Sequence, residues 1–377
     1  MAHRAPGNAS PDPGYVDCCA PAIRVIRNPA HFMTDERLMD TASPQPKRRL
    51  RILTWHVHGN YLYALTQVPH EFFIPVRADG RAGYAPLGSK IPWGANVHEI
   101  GAQDVARLEF DCVIYQSQAA YEQDAPMLLT AAQRALPSIY IEHDPPRPYP
   151  VDTPHPFKHD RGILVHVTHY NALNWDCGEQ AAQVIEHGVP FHRPLRHTGE
   201  KAAGITAING LKKRGRRMGA DLFEWSRERV PLDLIGMESE QMGGLGEVPN
   251  LDVAAAMAPY RFFYTPIRYT SLGLALIEAM LLGMPVVGVA ATELPTVIDN
   301  GRNGFVHTDK RRIVDVMRQL IAEPALARQW GDEARRTAMA RFNMDRFVRD
   351  WLEVLQRVAG ATGTSASPRA GAEGLLR

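Results

Sequence analysis

The stretch from residue 270 to residue 289 constrains the fold more than any other part of the chain. It reads Thr270-Ser271-Leu272-Gly273-Leu274-Ala275-Leu276-Ile277-Glu278-Ala279-Met280-Leu281-Leu282-Gly283-Met284-Pro285-Val286-Val287-Gly288-Val289. After Gly273 it predicts one short helix, apolar on every side except at Glu278, and a helix apolar all round belongs in a core. Gly283 and Pro285 stop that helix, and Val286 to Val289 continues as a buried strand. A carboxylate on such a helix needs hydrogen-bond donors to offset its desolvation. A polar loop, a helix start, one carboxylate and a strand in quick succession suit a nucleotide or sugar nucleotide held at a helix N-terminus.

The rest of the chain alternates in the same way. Residues 50–55 are the first strand, and His56-Val57-His58-Gly59-Asn60-Tyr61 runs from it into a helix, the opening of a Rossmann-type unit. Strands are expected at 72–76, 110–116, 138–142 and 162–168, with a helix at 125–136. Pro145 and Pro146 end regular structure, which leaves His143 and Asp144 at the C-terminal end of a strand, where open α/β sheets bind ligands. Residues 191–203 read as a linker. The alternation then restarts with a strand at 204–208 and a basic loop, Lys212-Lys213-Arg214-Gly215-Arg216-Arg217. A helix at 220–228, a strand at 232–236, a short helix at 253–258 and a strand at 261–266 lead to the 270–289 stretch. Amphipathic helices follow at 311–320, 324–339 and 344–358, the last with Phe347, Trp351, Val354, Leu355 and Val358 on one face.

This pattern predicts an α/β protein with a disordered arm over 1–48, a first Rossmann-like domain over 49–192 and a second over 193–343. A crossing helix over 344–359 and a disordered tail over 360–377 complete it. A length of 377 residues is consistent with two domains. The net charge of +1 implies no broad positive field and no nucleic-acid partner. The four cysteines, Cys18, Cys19, Cys112 and Cys177, are too scattered for a disulfide framework, and Cys18-Cys19 reads as two free thiols. The N-terminus lacks the apolar core of a signal peptide, and no apolar run approaches the roughly 18 residues of a membrane span. A cytoplasmic protein is expected; peripheral membrane contact stays open.

His56 and His58, two apart on an extended segment, share a face. His-x-His at a strand end is a metal-ligand pattern, but no matching set of His or carboxylate appears at the other strand ends. Polar residues at the mouth of a cleft are the preferred reading.

The second half resembles the retaining glycosyltransferases of the GT-B fold, the glycosyl transferases group 1 that include sucrose synthase and bacterial mannosyltransferases. Their signature is Glu-Gly-Phe-Gly-Leu-x-Leu-x-Glu-Ala-Met-x-x-Gly-x-Pro-Val-Val, with two glutamates separated by seven residues, and residues 270–287 follow it closely. Leu294-Pro295 and Asn300-Gly301-Arg302-Asn303-Gly304-Phe305-Val306 resemble the family's downstream Pro-Glu and Asp-Gly-x-x-Gly-x-Leu-Val. Ile141-Glu142-His143-Asp144 and Ile185-Glu186-His187-Gly188-Val189 are weaker echoes in the first half.

The resemblance implies two Rossmann-like domains facing across a cleft, with the C-terminal helix crossing back to the first. It implies transfer of a hexose from a nucleoside-diphosphate sugar to an acceptor hydroxyl with retention of configuration, in carbohydrate biosynthesis. The acceptor is a sugar, a lipid-linked sugar or a small molecule, and no metal or other cofactor is implied. Glu278 would accept hydrogen bonds from the ribose. Backbone N–H groups of Ser271, Leu272, Gly273 and Leu274 would face the diphosphate or donor sugar, with Gly273 allowing close approach. Lys213, Arg216 and Arg217 would neutralise the leaving diphosphate. His143 lies near the anomeric centre in this comparison, and His58, Gly59 and Asn60 line the acceptor side.

The chain also departs from the pattern. The signature's first Glu, a sugar ligand in the family, is Thr270, expected as a weaker, uncharged catalytic-site residue beside His143. The family's loop Lys is Met218, and its Gly-Gly before Leu-Pro is Thr292-Glu293, with Glu293 read as a surface residue. Two alternatives follow: a non-catalytic or weakly active relative that binds a nucleotide or a partner, and a metal-dependent hydrolase using His56 and His58.

Overall fold

The computed structural model describes residues 48–147, 149–191 and 195–360. The expectations for the N-terminal arm, for Cys18-Cys19 and for the C-terminal tail lie outside these residues.

The first half carries β1 (Arg51–Thr54), β2 (Glu71–Val76), β3 (Val97–Gly101), β4 (Cys112–Tyr115), β5 (Ser138–Glu142), β6 (Gly162–His166) and β7 (Ala182–Val184). They pair in the order β3-β2-β1-β4-β5-β6-β7, all parallel. The second half carries β8 (Lys201–Ala207), β9 (Leu232–Ile235), β10 (Tyr260–Thr265), β11 (Val286–Val289) and β12 (Gly304–His307). Their order is β12-β11-β10-β8-β9, again all parallel. In each sheet the chain winds outward in both directions from its first strand. Such a switch point leaves a crevice beyond the C-terminal ends of the central strands. In the first sheet that crevice follows β1 and β4; in the second it follows β8 and β10.

The helices of the first half are α1 (Gly59–Leu65), α2 (Ala125–Leu128), α3 (Ala131–Arg134) and α4 (His169–Asn174). Those of the second are α5 (Leu211–Met218), α6 (Ala220–Arg227), α7 (Val253–Met257), α8 (Leu274–Leu282), α9 (Leu294–Val297), α10 (Lys310–Ala322), α11 (Pro324–Arg341) and α12 (Met344–Gly360). The all-apolar α8 buries Leu276, Ile277, Ala279, Met280, Leu281 and Leu282 in the core of the second half. Gly283 closes it in the left-handed conformation, φ 93°, where a side chain is unfavourable. The apolar face of α12 leaves the second half: Phe347, Trp351, Val354, Leu355 and Val358 pack with Ile52, Leu62 and Ile141 of the first. The expected crossing helix is therefore present.

Two expected elements differ. The helix at 125–136 is interrupted: a π-helical turn over Ala120–Asp124 leads into α2, Leu129 is extended, and α3 starts afresh. Thr130 and Gln133 form a reciprocal capping box there, satisfying N–H groups that a continuous helix would bond internally. The basic loop at 212–217 is helical, as α5. Leu211 and Met218, at its two ends, are both buried, while Gly215, at φ 61° and ψ −144°, breaks the helix between them in a conformation other residues rarely adopt.

Candidate functional site

The site lies where the two crevices meet. Its floor in the second half is the 266–273 loop after β10, which ends at the N-terminus of α8. Gly273 is the N-cap with extended backbone, φ −78° and ψ 138°. A Cβ at Gly273 would meet no protein atom, so the room it leaves opens into the cleft. Ser271 is buried and its hydroxyl has no partner among the described residues; with Thr270, Leu272 and Gly273 it lines a small cavity of about 50 Å³.

Glu278 sits one turn into α8 and faces two cavities. One, of about 280 Å³, is bounded by Asn60, Asn209, Gly236, Glu247, Val248 and Asn250 among others. The other, of about 110 Å³ and more apolar, lies toward Tyr63, Pro190 and Phe191. No hydrogen bond holds the Glu278 carboxylate among the described residues, and burial alone pushes its pKa up to about 7. A carboxylate placed without an internal partner at the wall of a cavity is a group waiting for donors.

The basic segment divides by exposure. Lys213 is exposed, and Arg216 is exposed and paired with Asp221 at 2.7 Å, beside the Arg268–Asp221 pair at 2.6 Å. Arg214 and Arg217, on either side of the Gly215 break, are half-buried. Burial lowers both guanidinium pKa values, with Arg217 and Arg147 adding repulsion at Arg214 and Arg147 adding it at Arg217, opposed at both by Asp144. The cations turned to the cleft are thus Arg214, Arg217 and Arg147, with one close carboxylate, Asp144, bonded to Arg147 at 2.5 Å.

The first half contributes a histidine cluster. His143 is stacked obliquely on His58 at 4.1 Å and edge-on to Tyr61 at 4.7 Å. Among the described residues its Nε2 is buried without a partner. Burial holds its pKa well below the ordinary value, with the neighbouring His58 and His187 acting in the same direction, so the ring is neutral near pH 7. His187 is buried, with its pKa lowered to about 4 by that burial. As a neutral ring it donates from Nε2 to the Leu272 carbonyl at 3.1 Å, fixing the 270–273 loop from the opposite half. His58 precedes α1 as its N-cap residue, followed by Gly59 and Asn60. The Asn60 side chain donates to Asn250 Oδ1 across the cleft at 2.8 Å. His56 does not share this face: its Nδ1 meets the Ala85 carbonyl at 3.1 Å, and the ring packs edge-on to Trp93. Among the described residues no group of three His, Cys, Asp or Glu side chains could hold a metal ion.

Thr270 donates to Asp144 Oδ1 at 3.3 Å, and Tyr269 to the Pro146 carbonyl at 2.9 Å, both across the cleft. Glu293 is not a surface residue. It is 1% exposed, and its carboxylate accepts from the Tyr170 backbone N–H at 2.8 Å, from Thr296 Oγ1 at 2.7 Å and from Arg341 at 3.1 Å. Arg341 also pairs with Glu186 of the first half at 2.5 Å. Long-range partners, invisible in a local pattern, made this carboxylate easy to misread. The adjacent Thr292 has φ 55°, a left-handed conformation that a β-branched residue adopts at a cost. Asp144, Arg147, Arg214 and His187 also join the site; the one signal for Asp144 was its place beside His143 at a strand end.

Two parallel α/β halves, a cleft at their switch points and a lone carboxylate on the helix behind the loop define a GT-B architecture. Residues 227–323 match the family model of glycosyl transferases group 1. Over 120 residues it is 26% identical to an alpha-maltose-1-phosphate synthase of Mycolicibacterium smegmatis, covering 30% of this chain and 31% of that protein. Over 106 residues it is 31% identical to an N-acetyl-alpha-D-glucosaminyl L-malate synthase of Bacillus anthracis, covering 28% of this chain and 27% of that one. The matched segment thus spans less than a third of either relative's length. Among solved structures, a sucrose-phosphate synthase of Thermosynechococcus elongatus superposes with a TM-score of 0.64 at 14% identity, over 83% of this chain and 100% of that one. Anabaena HepE in complex with UDP and glucose superposes with a TM-score of 0.59 at 14% identity, over 82% and 100%. At that identity the likeness shows the fold. Among the described residues no helix is long and apolar enough to cross a membrane.

Proposed function

We propose that this protein transfers a hexose from a nucleoside-diphosphate sugar to an acceptor hydroxyl, with retention of configuration at the anomeric carbon. The observation that carries the reading is Glu278: an unpartnered carboxylate, its pKa pushed up to about 7, on a buried helix at the wall of a cavity of about 280 Å³. Ribose hydroxyls are donors of the kind it lacks, and bonds to a carboxylate are the strong class. The donor diphosphate lies at the N-terminus of α8, against the N–H groups of residues 271–274, with Arg217 and Arg214 supplying the charge assigned from sequence to Lys213, Arg216 and Arg217. In the reaction the bond from the anomeric carbon to the diphosphate oxygen breaks. A bond to the acceptor oxygen forms, and the acceptor proton is released. His143, neutral and with a free Nε2, is suited to hydrogen-bond a sugar hydroxyl near that carbon rather than to act as a cation. The acceptor approaches past His58, Gly59 and Asn60. Retention follows from the resemblance of residues 270–287 to the retaining group, and HepE, whose structure contains UDP and glucose, supports a nucleotide-sugar donor.

The test is a thermal-shift panel of UDP, GDP, ADP and their hexose conjugates on wild type and Glu278→Ala. One base should raise the wild-type melting temperature by several degrees, and most of that shift should vanish in the variant. No shift with any base sinks the donor site; a shift unchanged by Glu278→Ala removes Glu278 from it. Nucleotide binding without sugar transfer or donor hydrolysis selects the weakly active relative instead.

A further inference from the structure

The donor reading leaves the hexose without an assigned charged ligand. Beyond the diphosphate cations, the next groups along the cleft are Thr270 on the second half and Asp144 on the first, joined at 3.3 Å. We propose that Asp144, reaching across from the first half, is the carboxylate that receives the donor-sugar hydroxyls, with Thr270 as its relay; this rests on the nucleotide-sugar reading above.

Asp144 is built in. Its backbone N–H donates to Glu142 Oε1 at 2.9 Å, and its carbonyl accepts from Trp175 Nε1 at 2.9 Å. Oδ2 takes the Arg147 guanidinium at 2.5 Å, and Oδ1 takes the Thr270 hydroxyl. A carboxylate has about four acceptor positions, so roughly two remain. The side chain is 39% exposed, so those positions are open to an incoming ligand. The Thr270 hydroxyl spends its proton on Asp144, which leaves its lone pairs to accept from a sugar. A chain from sugar O–H through Thr270 to a carboxylate polarises each member in the same direction. An acceptor pair of this kind suits neighbouring hydroxyls on a pyranose and has nothing to offer a bare nucleoside diphosphate.

A plainer role competes with this one: Asp144 as counter-ion to Arg147, Arg214 and Arg217, whose charges it offsets. The two roles differ in sign. Removing a counter-ion leaves the cations freer for diphosphate, so affinity for the bare diphosphate and for the sugar nucleotide would rise together. Removing a sugar ligand lowers affinity for the sugar nucleotide relative to the bare diphosphate.

The experiment is titration calorimetry on the full chain with UDP, GDP and ADP and with UDP-glucose, GDP-mannose and ADP-glucose, at one salt concentration. For the pair that wild type binds best, Asp144→Asn should lower the ratio of sugar-nucleotide to diphosphate affinity by about tenfold or more, the size of one charge-assisted hydrogen bond. Thr270→Glu in the Asp144→Asn background should restore most of the ratio by supplying a carboxylate from the other side. Thr270→Val, which keeps Asp144 and removes the relay, should lower it by a smaller factor, and it carries the same measurement if Asp144→Asn does not fold. A ratio unchanged in Asp144→Asn and Thr270→Val, or both affinities moving by one common factor, overturns the assignment while leaving the donor reading intact. A wild type that binds none of the three diphosphates overturns the donor reading itself, and this assignment with it.

Discussion

The backbone N–H of Tyr170, at the start of α4 in the first half, donates to the Glu293 carboxylate of the second half at 2.8 Å. Glu293 therefore caps a helix of the opposite half while holding Arg341, which in turn holds Glu186. Glu293→Ala leaves Arg341 paired with Glu186 but removes the acceptor of the Tyr170 N–H. It should accordingly cost about 1–3 kcal/mol in urea unfolding. The Glu293→Ala, Arg341→Ala double variant should fall short of the summed single costs by about 1 kcal/mol or more. Strict additivity would mean that the two side chains do not act as a unit.

Thr292 offers a test of opposite sign. Its φ of 55° carries strain that a β-branched side chain cannot relieve, and glycine can. Glycine also costs about 0.5–1 kcal/mol of chain entropy, against about 1–3 kcal/mol for the strain. Thr292→Gly should therefore leave the melting temperature unchanged or raise it. A loss above about 1 kcal/mol would show that the threonine side chain, which lines the cavity under the 270–273 loop, holds that loop in place.

What could be read from the sequence was whatever has a local period. The buried strands, the all-apolar α8 and the one-sided α12 each carry an apolar spacing that only one kind of element satisfies, and two α/β units follow from their order; the GT-B arrangement is what the resemblance of residues 270–287 implies. Thr130-x-x-Gln133 was also legible as a helix restart, but the surrounding alanines and leucines hid it. The kinked α5 was harder, because five cations and a glycine leave only Leu211 and Met218, at its two ends, as buried residues. The site's own contacts were out of reach. Thr270 and Asp144 are 126 residues apart, Tyr170 and Glu293 123 apart, and no local pattern joins them. Which cations of α5 meet the cleft is set by that tertiary packing too.

Glu278 gives a pH signature with a definite sign. Its folded pKa, about 7, lies above the ordinary carboxyl value of 4.5. The folded state thus favours the neutral form, and this contribution to stability is fully present below about pH 4.5 and lost as pH rises through about 7. Glu278→Gln has no such group, so it should melt a few degrees above wild type at pH 8, the gap closing toward pH 4.5. Nucleotide binding should run the other way. Ribose donors favour the carboxylate, so affinity for the best-bound diphosphate should strengthen between pH 6 and 8, with proton release on binding near pH 7. Both trends should be absent in Glu278→Gln; a pH-independent wild type would mean that Glu278 is not the ligand.

The half-buried and exposed cations of α5 make the last prediction. Arg214 and Arg217 turn toward Asp144 and Arg147, whereas Lys213 is exposed and Arg216 is bonded to Asp221 on the outer side. A half-buried cation meets a diphosphate with little screening, while an exposed one at longer range is screened within about 10 Å at 0.1 M salt. Arg214→Ala and Arg217→Ala should each weaken diphosphate binding by roughly tenfold, the scale of one lost charge-assisted bond, and each should flatten the salt dependence of binding. Lys213→Ala and Arg216→Ala should stay within about twofold, as expected for exposed charges. Calorimetry at two salt concentrations separates the two sets. Equal losses from all four residues would mean that the helix acts through its summed charge, and a larger loss at Lys213 or Arg216 would turn α5 the other way round against the nucleotide.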